Sequence, residues 1–480
     1  MRTTQLLIAV AVMTHCEIVD SARKARDFFH GREDGQIEND FGVSTSGHNF
    51  LALMETLTKE NGSSAEHPNV EMTAKSNHND PNLNKLIHAI NSAGGTGRAL
   101  MQNDTVLTNV EAGQIVMNNV RKTRAKRQVV KDYGNKNRTW QNGVFYTFNT
   151  SDNAVKKCFK MGVQVWKEST CVDFTEDKNA QDKIIVVKED ECWSDIGKLG
   201  GDQFLSLDDG CEEMFSVHEI GHALGLYHTM ARFDRDNYIQ VVKRNIDSSF
   251  FGEFTKVPPT YAEVYGLTYD YGSIMHYDEQ IFSANSMATM IARNPFYQKT
   301  MGSPIVSFSD IFVINERYGC NARCNKSTSA KCLNEGFPHP RNCSICICPG
   351  GYGGALCDRR PPGCGEDLEA TSKERPLAYR LGFGTGLIDQ FNFCNYVIRA
   401  PQKKRIEVYL KSVSPGYDYP GCVYGGVEIK AQKDQKLTGY RFCSADGSGD
   451  PIISSSNRLS VILFNRRGVM QAIFTYRYID

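Results

Sequence analysis

The chain lacks an excess of charge of either sign, and it lacks any apolar run long enough to form a membrane helix. Its 480 residues include 55 Lys and Arg against 55 Asp and Glu, so the formal net charge is +0 at pH 7. A neutral chain has no general electrostatic attraction for nucleic acids or other polyanions. The apolar run at residues 6–13 is much shorter than the about 20 residues that span a bilayer. We therefore expect neither a nucleic-acid partner nor a membrane span.

Cysteine is also missing from a long stretch near the start. None of the 16 cysteines lies between Cys16 and Cys158, and residues 21–127 are polar, rich in Asn, His, Glu and Lys. This composition favours a pro-segment over a folded domain. The cysteines that follow are concentrated enough to predict disulfides, and therefore an oxidising, extracellular compartment.

The first residues are typical of a secretory signal peptide. Arg2 precedes the apolar run, and small and polar residues follow it, which predicts a signal peptide at 1–16 with cleavage near Cys16 or Ala22. Residues 17–127 are then the propeptide. They end in R-K-T-R-A-K-R, whose R-x-K-R close resembles the target of furin-type convertases, so we expect processing after Arg127. The alternative interpretation is a solvated basic linker.

The pattern H-E-x-x-H-x-x-G-x-x-H occupies residues 218–228. Helical periodicity over residues 212–226 places His218 and His222 one turn apart on one face, where two imidazoles can bind one zinc ion. Gly225 can take the positive φ that ends the helix and brings His228 back to the metal. Three protein ligands leave one position open, as in a catalytic zinc site. The alternative, packed core histidines, explains five fixed residue types poorly.

Glu219 lies beside these ligands without being a third one on the helix. We expect its carboxylate to act as the general base, taking a proton from a zinc-activated water and passing it to the leaving amine. We therefore expect hydrolysis of a peptide bond, with one Zn²⁺ per catalytic domain.

The histidine pattern, the S-I-M-H-Y turn at residues 273–277 and the sequel at 232–238 together resemble the astacin family of metzincins. The resemblance implies a secreted zinc metalloendopeptidase (EC 3.4.24) with an α+β catalytic domain that combines a mixed sheet with an active-site helix. It also implies that Met275 forms an apolar floor under the zinc, and that Tyr277 donates a hydrogen bond to the oxyanion of the transition state. The alternative interpretation is that Met275 and Tyr277 are ordinary core residues of a loop.

By this resemblance the catalytic domain runs from 128 to 321. Residues 140–148 and 184–187 have the patterns of strands, and residues 192–207 resemble the edge strand that holds an extended polypeptide substrate by backbone pairing. Astacin zymogens place the aspartate of an F-x-G-D segment at the zinc. Here M-Q-N-D at 101–104 is a degenerate match, with Asp104 as the candidate and a plain surface aspartate as the alternative.

The family's disulfides imply two pairs in this domain, Cys192 with Cys211 and Cys171 with Cys320. Cys158 is then left over, and we expect it to be a buried free thiol, since the chemistry is already assigned to zinc. Each disulfide restricts the unfolded chain and adds about 2–4 kcal/mol to the free energy of unfolding.

Two further modules are expected after the catalytic domain. Residues 322–358 hold six cysteines with C-x-C before a glycine-rich loop, and they resemble an EGF-like module with pairs 324–343, 332–346 and 348–357; a zinc knot is the rival interpretation. Residues 364–478 resemble a CUB domain, an all-β sandwich of two sheets. Because Gly425 and Gly426 occupy the region where many CUB domains have a calcium-binding aspartate, we expect no calcium there.

The resulting prediction is a secreted zinc endopeptidase made as a zymogen, with the module order of nematode astacins. By that analogy alone, its substrates are matrix, cuticle or eggshell proteins. Sequons at Asn137, Asn149 and Asn325 predict glycans or unmodified surface asparagines. A hypothesis of another class is a non-catalytic scaffold that acts through its EGF-like and CUB modules. Glu219 disfavours that hypothesis, since a relic protease tends to lose its base or a ligand.

Overall fold

The computed structural model describes residues 100–101, 104–106, 129–130, 138–189, 191–208, 211–259, 262–444 and 449–480. The expected signal peptide, the convertase target at Arg127 and the sequon at Asn137 lie outside these residues. The sequons at Asn149 and Asn325 lie inside them, and both asparagines are exposed. None of the helices in the described part combines the length and apolar character needed to cross a bilayer.

The expected catalytic domain, residues 128–321 and here called the catalytic part, forms a mixed seven-stranded sheet with two short strands that precede it. Its strands are β1 (Leu100–Met101), β2 (Thr105–Val106), β4 (Val144–Phe148), β5 (Phe174–Glu176), β6 (Lys183–Val187), β7 (Trp193–Asp195) and β8 (Asp202–Ser206). They are arranged in the order β1-β2-β7-β8-β6-β4-β5. Strands β4, β5, β6 and β8 are parallel to one another, and β7 is antiparallel to β8. Without β1 and β2, which belong to the expected propeptide, β7 is the edge of the sheet.

Three helices complete this part, which also has shorter pieces of sheet. The helices are α1 (Asn153–Ser169), α2 (Glu213–Ala223) and α3 (Phe308–Arg317). Two-stranded sheets join β3 (Val129–Val130) to β10 (Ala262–Glu263) and β9 (Ile239–Val241) to β11 (Met290–Ala292). Short 3₁₀ helices lie at Thr229–Ala231, Arg235–Asn237, Lys243–Asn245, Ser248–Phe254, Pro295–Thr300 and Cys320–Arg323.

Helix α1 supports α2 from behind. It begins at the N-cap Asp152, whose carboxylate accepts the amides of Ala154 and Val155. Its buried face includes Phe159 and Trp166, and the Trp166 indole donates to the Val217 carbonyl of α2 at 2.9 Å. The two helices approach so closely at Gly162 that a Cβ there would overlap the side chain of Ser216. The position of α2, which carries the histidines, is therefore fixed by packing against α1.

One of the two disulfides expected in the catalytic part is confirmed and the other is wrong. Cys171 pairs with Cys320, but Cys211 pairs with Cys158, and Cys192 is the free cysteine of the described residues. Cys158 is on the buried face of α1, and Cys211 comes just before α2, so this disulfide follows the contact between the two helices. Cys192 lies instead beside Asp208, and burial raises the pKa of its thiol.

Residues 322–358 form a small cysteine-rich segment around β12 (Phe337–His339) and β13 (Asn342–Ile347), which pair antiparallel. The three expected disulfides, 324–343, 332–346 and 348–357, are all present. Arg341 docks the segment on the end of α1. Its guanidinium donates to the carbonyls of Lys167, Thr170 and Val172, and it pairs with Asp173 at 2.8 Å.

The C-terminal β region, residues 364–480, has its own apolar core. Its strands are β14 (Asp367–Glu369), β15 (Arg375–Arg399), β16 (Arg405–Val413), β17 (Gly425–Lys430), β18 (Tyr440–Phe442), β19 (Ile452–Ile453) and β20 (Arg458–Ile479), with a short 3₁₀ helix at Pro420–Cys422. Disulfides join Cys364 to Cys394 and Cys422 to Cys443. Instead of two separate sheets, hydrogen bonds join all seven strands, because β15 and β20 are long enough to run through both halves.

Candidate active site and metal centre

Helix α2 ends just before Gly225, the residue at which the sequence predicts a stop, and three residues short of the predicted helical stretch 212–226. Its last residue is Ala223, and Gly225 has a φ of 108°, which a residue with a side chain rarely adopts. The amide of Gly225 donates to the His222 carbonyl at 2.7 Å, and that of Leu226 donates to the Gly221 carbonyl at 2.9 Å. These bonds satisfy the free carbonyls at the helix end and turn the chain back toward the helix. His228 is thereby brought beside the two histidines of α2.

The three predicted ligands meet at one point. The Nε2 atom of His218 lies 3.1 Å from that of His222 and 3.1 Å from that of His228. Ligands bound tetrahedrally at 2.0–2.1 Å from a zinc ion are separated by about 3.3 Å. The spacing of the three nitrogen atoms therefore fits one zinc ion.

The outer ring nitrogens fix which side of two imidazoles is available to a metal. His218 Nδ1 lies 2.8 Å from the Ile274 carbonyl, and His222 Nδ1 lies 2.8 Å from the Leu226 carbonyl. A carbonyl only accepts, so each Nδ1 carries the proton and each Nε2 presents a lone pair. Burial also lowers the pKa of His222, which keeps it neutral. Facing lone pairs at 3.1 Å require a cation between them, so the donor set fits zinc.

A fourth group, Asp104, lies at the same point. Its Oδ2 is 3.1 Å from His228 Nε2 and 3.2 Å from His218 Nε2, and its Oδ1 is 3.6 Å from His222 Nε2. Burial would raise the pKa of Asp104, but the three imidazoles around it outweigh burial and hold that pKa well below its usual range. The four side chains form a group that could hold one metal ion.

The chain that carries Asp104 also pairs with the edge of the sheet. Strand β2 runs parallel to β7, with Thr105 opposite Ser194 and Val106 opposite Asp195. The Ser194 amide donates to the Asp104 carbonyl at 2.8 Å. The residues after Asp104 therefore occupy the edge at which the family resemblance predicts an extended substrate.

Glu219 is buried beside the histidines, with 2% of its surface exposed. Its Oε2 has no hydrogen-bond partner among the residues that the structure describes. Burial, and then the negative charge of Asp104, raise its pKa well above the usual value. A buried carboxylate with a free oxygen and a raised pKa suits a group that accepts a proton near neutral pH.

The turn at residues 273–277 closes the site from below, as expected. Met275 is fully buried under α2, and its Sδ would be 2.9 Å from a Cβ at Gly221. The ring of Tyr277 packs against His228 with centroids 4.3 Å apart. Burial, and then the charge of Asp104, raise the pKa of Tyr277 well above its usual value, so the phenol keeps its proton and can donate it in a hydrogen bond.

Sequence reasoning missed the residue that holds this turn in place. Asp310, in the first turn of α3, accepts the Ser273 hydroxyl at 2.6 Å and the Ile274 amide at 2.9 Å. It also accepts from Ser307 in a capping box. The pattern S-x-x-D at 307–310 is typical of a capping box. Nothing in the sequence indicates that Asp310 also accepts from Ile274, 36 residues earlier in the chain.

Comparison with known proteins bears on the same residues. The model of the astacin peptidase family matches residues 132–319. Zinc metalloproteinase nas-23 of Caenorhabditis elegans is 35% identical over 395 residues, covering 79% of this chain and 71% of that protein. The chain belongs to the astacin family. Its cofactor is therefore one zinc ion, and the cluster of Asp104, His218, His222 and His228 could hold it.

The chain is also similar to a longer nematode relative and to a solved fish protease. Zinc metalloproteinase nas-31 of C. elegans is 42% identical over 399 residues, covering 82% of this chain; this astacin spans only 65% of that relative's length. Among solved structures, high choriolytic enzyme 1, a hatching enzyme zinc-protease of medaka (Oryzias latipes), is 28% identical and covers 40% of this chain and 98% of its own. Its TM-score of 0.36 is too low to add to the assignment.

Proposed function

We propose that this astacin is a secreted zinc metalloendopeptidase, made as a zymogen, that cleaves extracellular polypeptides. The observation that carries the proposal is the meeting of three imidazoles with the buried carboxylate of Glu219, whose Oε2 has no hydrogen-bond partner among the described residues. These groups supply, in one place, three ligands and a base for peptide-bond hydrolysis.

The residues of this chain have separate roles in the proposed reaction. His218, His222 and His228 hold the zinc, which when bound polarises the scissile carbonyl and lowers the pKa of water. Glu219 takes the proton from the attacking water and delivers it to the leaving amine. Tyr277 donates its phenolic proton in a hydrogen bond to the negative oxygen that develops on the carbonyl carbon. Strand β7 holds the extended substrate by backbone hydrogen bonds.

Latency in this proposal comes from Asp104 and from the strand that follows it. The carboxylate approaches all three histidines, and β2 pairs with β7, so both the metal position and the substrate edge are covered. Cleavage after Arg127 by a furin-type convertase would separate residues up to 127 from the catalytic domain at 128–321. The signal peptide at 1–16 would direct the chain to the secretory pathway.

The remaining segments complete the proposed architecture. Residues 322–358 are assigned as an EGF-like module on their six paired cysteines, and residues 364–478 as a CUB domain on their strands and two disulfides. Both suit an oxidising extracellular location. Matrix, cuticle or eggshell proteins remain the substrates suggested by analogy, and glycans are expected on the exposed Asn149 and Asn325.

The test is cleavage of a denatured protein by the chain processed after Arg127, with bound zinc measured alongside. Glu219→Ala should abolish cleavage and retain zinc, because Glu219 is not a ligand. The matched control is Glu168→Ala, which removes an exposed carboxylate from α1 and should leave the rate unchanged. A processed chain that binds one zinc and cleaves nothing would support the scaffold hypothesis instead.

A further inference from the structure

The C-terminal β region contacts the catalytic part through a buried and specific interface. Arg441, 4% exposed, pairs with Glu428 of its own region at 3.0 Å and donates to Ser303 of the catalytic part at 2.6 Å. Its amide donates to Thr300 Oγ1 at 3.0 Å. A buried cation with all these partners in place is the mark of a fixed contact, since breaking it leaves a buried charge unpaired.

Close backbone approach supports the same conclusion. A Cβ at Gly421, in the β region, would overlap the carbonyl oxygen of Gly302 in the catalytic part. Nearby, the ring of Tyr440 packs edge-on against Tyr297, with centroids 4.6 Å apart. Interfaces without room for a side chain are packed like protein interiors, so the two parts move together.

Within this interface, residues 437–443, here called segment 437–443, contact the residues that precede the turn of the zinc site. Asp270, 3% exposed, accepts the Thr438 amide on Oδ1 at 3.1 Å and the Thr438 hydroxyl on Oδ2 at 3.3 Å. The same Oδ1 accepts the Gly272 amide at 3.1 Å. A Cβ at Gly272 would overlap the side chain of Thr438. Asp270 and Gly272 are thus held by the β region as well as by the catalytic part.

These two residues immediately precede the turn that forms the floor of the zinc site. The carbonyl of Asp270 accepts the Ser273 amide at 3.4 Å, and the next residue, Ile274, presents its carbonyl to His218 Nδ1 at 2.8 Å. That carbonyl sets the orientation and tautomer of a zinc ligand. A displacement at Asp270 would therefore be transmitted within four residues to His218.

We propose that segment 437–443 is a positioning element of the zinc site, acting through Thr438 and Asp270 on the turn that orients His218. The C-terminal β region is then a structural part of the peptidase and not a separately tethered module. Only the activity readout of this inference rests on the proposed function, because zinc retention can be measured whether or not the chain cleaves peptides.

The experiment uses the full chain processed after Arg127 and measures three quantities: the rate of zinc release to a chelator, kcat and KM. Gly272→Ala inserts a methyl group against Thr438, and we expect zinc release about tenfold faster, in line with losses of outer-shell support. We expect kcat to fall by a similar factor and KM to change less than twofold, because strand β7 is not disturbed. Adding Thr438→Gly makes room for the methyl group and should restore zinc release to the rate of Thr438→Gly alone.

Two further variants keep the inference testable if Gly272→Ala fails to fold. Thr438→Val preserves shape and removes only the hydroxyl bond, and Asp270→Asn removes the charge, so each should speed zinc release about threefold. Asp389→Asn is the matched control. It breaks the 3.1 Å ion pair with Lys157 across the same interface, away from the turn, and should change nothing. Wild-type zinc release in Thr438→Val and Asp270→Asn, or failure of Thr438→Gly to rescue Gly272→Ala, would overturn the inference.

Discussion

Asp104→Ala should make the unprocessed chain active. The carboxylate Oδ2 lies 3.1 Å from His228 Nε2 and 3.2 Å from His218 Nε2. With zinc held by the histidines, the Asp104 carboxylate would be one partner of a buried ion pair, and removing one partner of such a pair costs about 3–5 kcal/mol. We take about 3 kcal/mol for its contribution to the closed state. At 1.4 kcal/mol per factor of ten, the open fraction should rise roughly 100-fold.

The assay compares chains in which Arg127→Ala blocks processing. The rate of cleavage of a short fluorogenic peptide by the unprocessed chain is measured against that of the processed chain. Asp104→Asn retains an oxygen acceptor without the charge, so it should give a smaller gain, about tenfold. In a chain cut after Arg127, Asp104→Ala should have no effect, because residue 104 leaves with the propeptide. If unprocessed Asp104→Ala is as inactive as its parent, the pairing of β2 with β7 alone accounts for latency and the reasoning fails.

Three other predictions concern the framework of the site. Burial opposes ionisation of Glu428, but the cations Arg441 and Lys430 outweigh burial and lower its pKa. The contribution of Glu428 to the free energy of unfolding should therefore be constant above about pH 4.5 and fall below it. Glu428→Gln should flatten that dependence and cost about 3 kcal/mol at pH 7 in denaturant titrations. Arg341→Met should lower the melting temperature by about 2–4 °C for each of the 1–2 kcal/mol lost, whereas exposed Arg359→Met should leave it unchanged. Gly162→Ala should destabilise by about 1–3 kcal/mol despite the better helix propensity of alanine, and Gly252→Ala, which faces open space, should not.

The zinc helix could be predicted because all of its information is local. His218, His222, Gly225 and His228 lie within eleven residues, and helix geometry alone brings the first two to one face. The structure adds only the exact end of the helix and the carbonyls behind the rings. The turn at 273–277 was found by resemblance, and its burial under α2 agrees with the expected floor.

Features that depend on distant contacts were predicted less well. The family resemblance predicted that Cys211 pairs with Cys192. The contact between α1 and α2 brings Cys158 to Cys211 instead. No sequence pattern signals that a residue of one helix faces the start of another 53 residues away. Helical periodicity identifies the buried face of α1 and leaves the neighbour of that face unspecified.

The contact between Asp270 and Thr438 was not visible in the sequence at all. The two residues are 168 positions apart, and each looks like an ordinary polar residue of a loop. Only their burial and the missing side chain of Gly272 reveal the contact. Separate modules are usually joined by a flexible linker, whereas here the catalytic part and the C-terminal β region share a packed interface.

The small sheet formed by Val129–Val130 and Ala262–Glu263 changes what a cut after Arg127 does. Before the cut, residues 107–128 connect two anchored strands, β2 at the site and β3 on the catalytic part. The propeptide is thus held by an intramolecular tether, for which effective concentrations are of millimolar order. The expected cut lies inside this tether and leaves β3 attached to the catalytic part. For the proposed zymogen, inhibition would then become a bimolecular equilibrium, which dilution shifts toward the free enzyme.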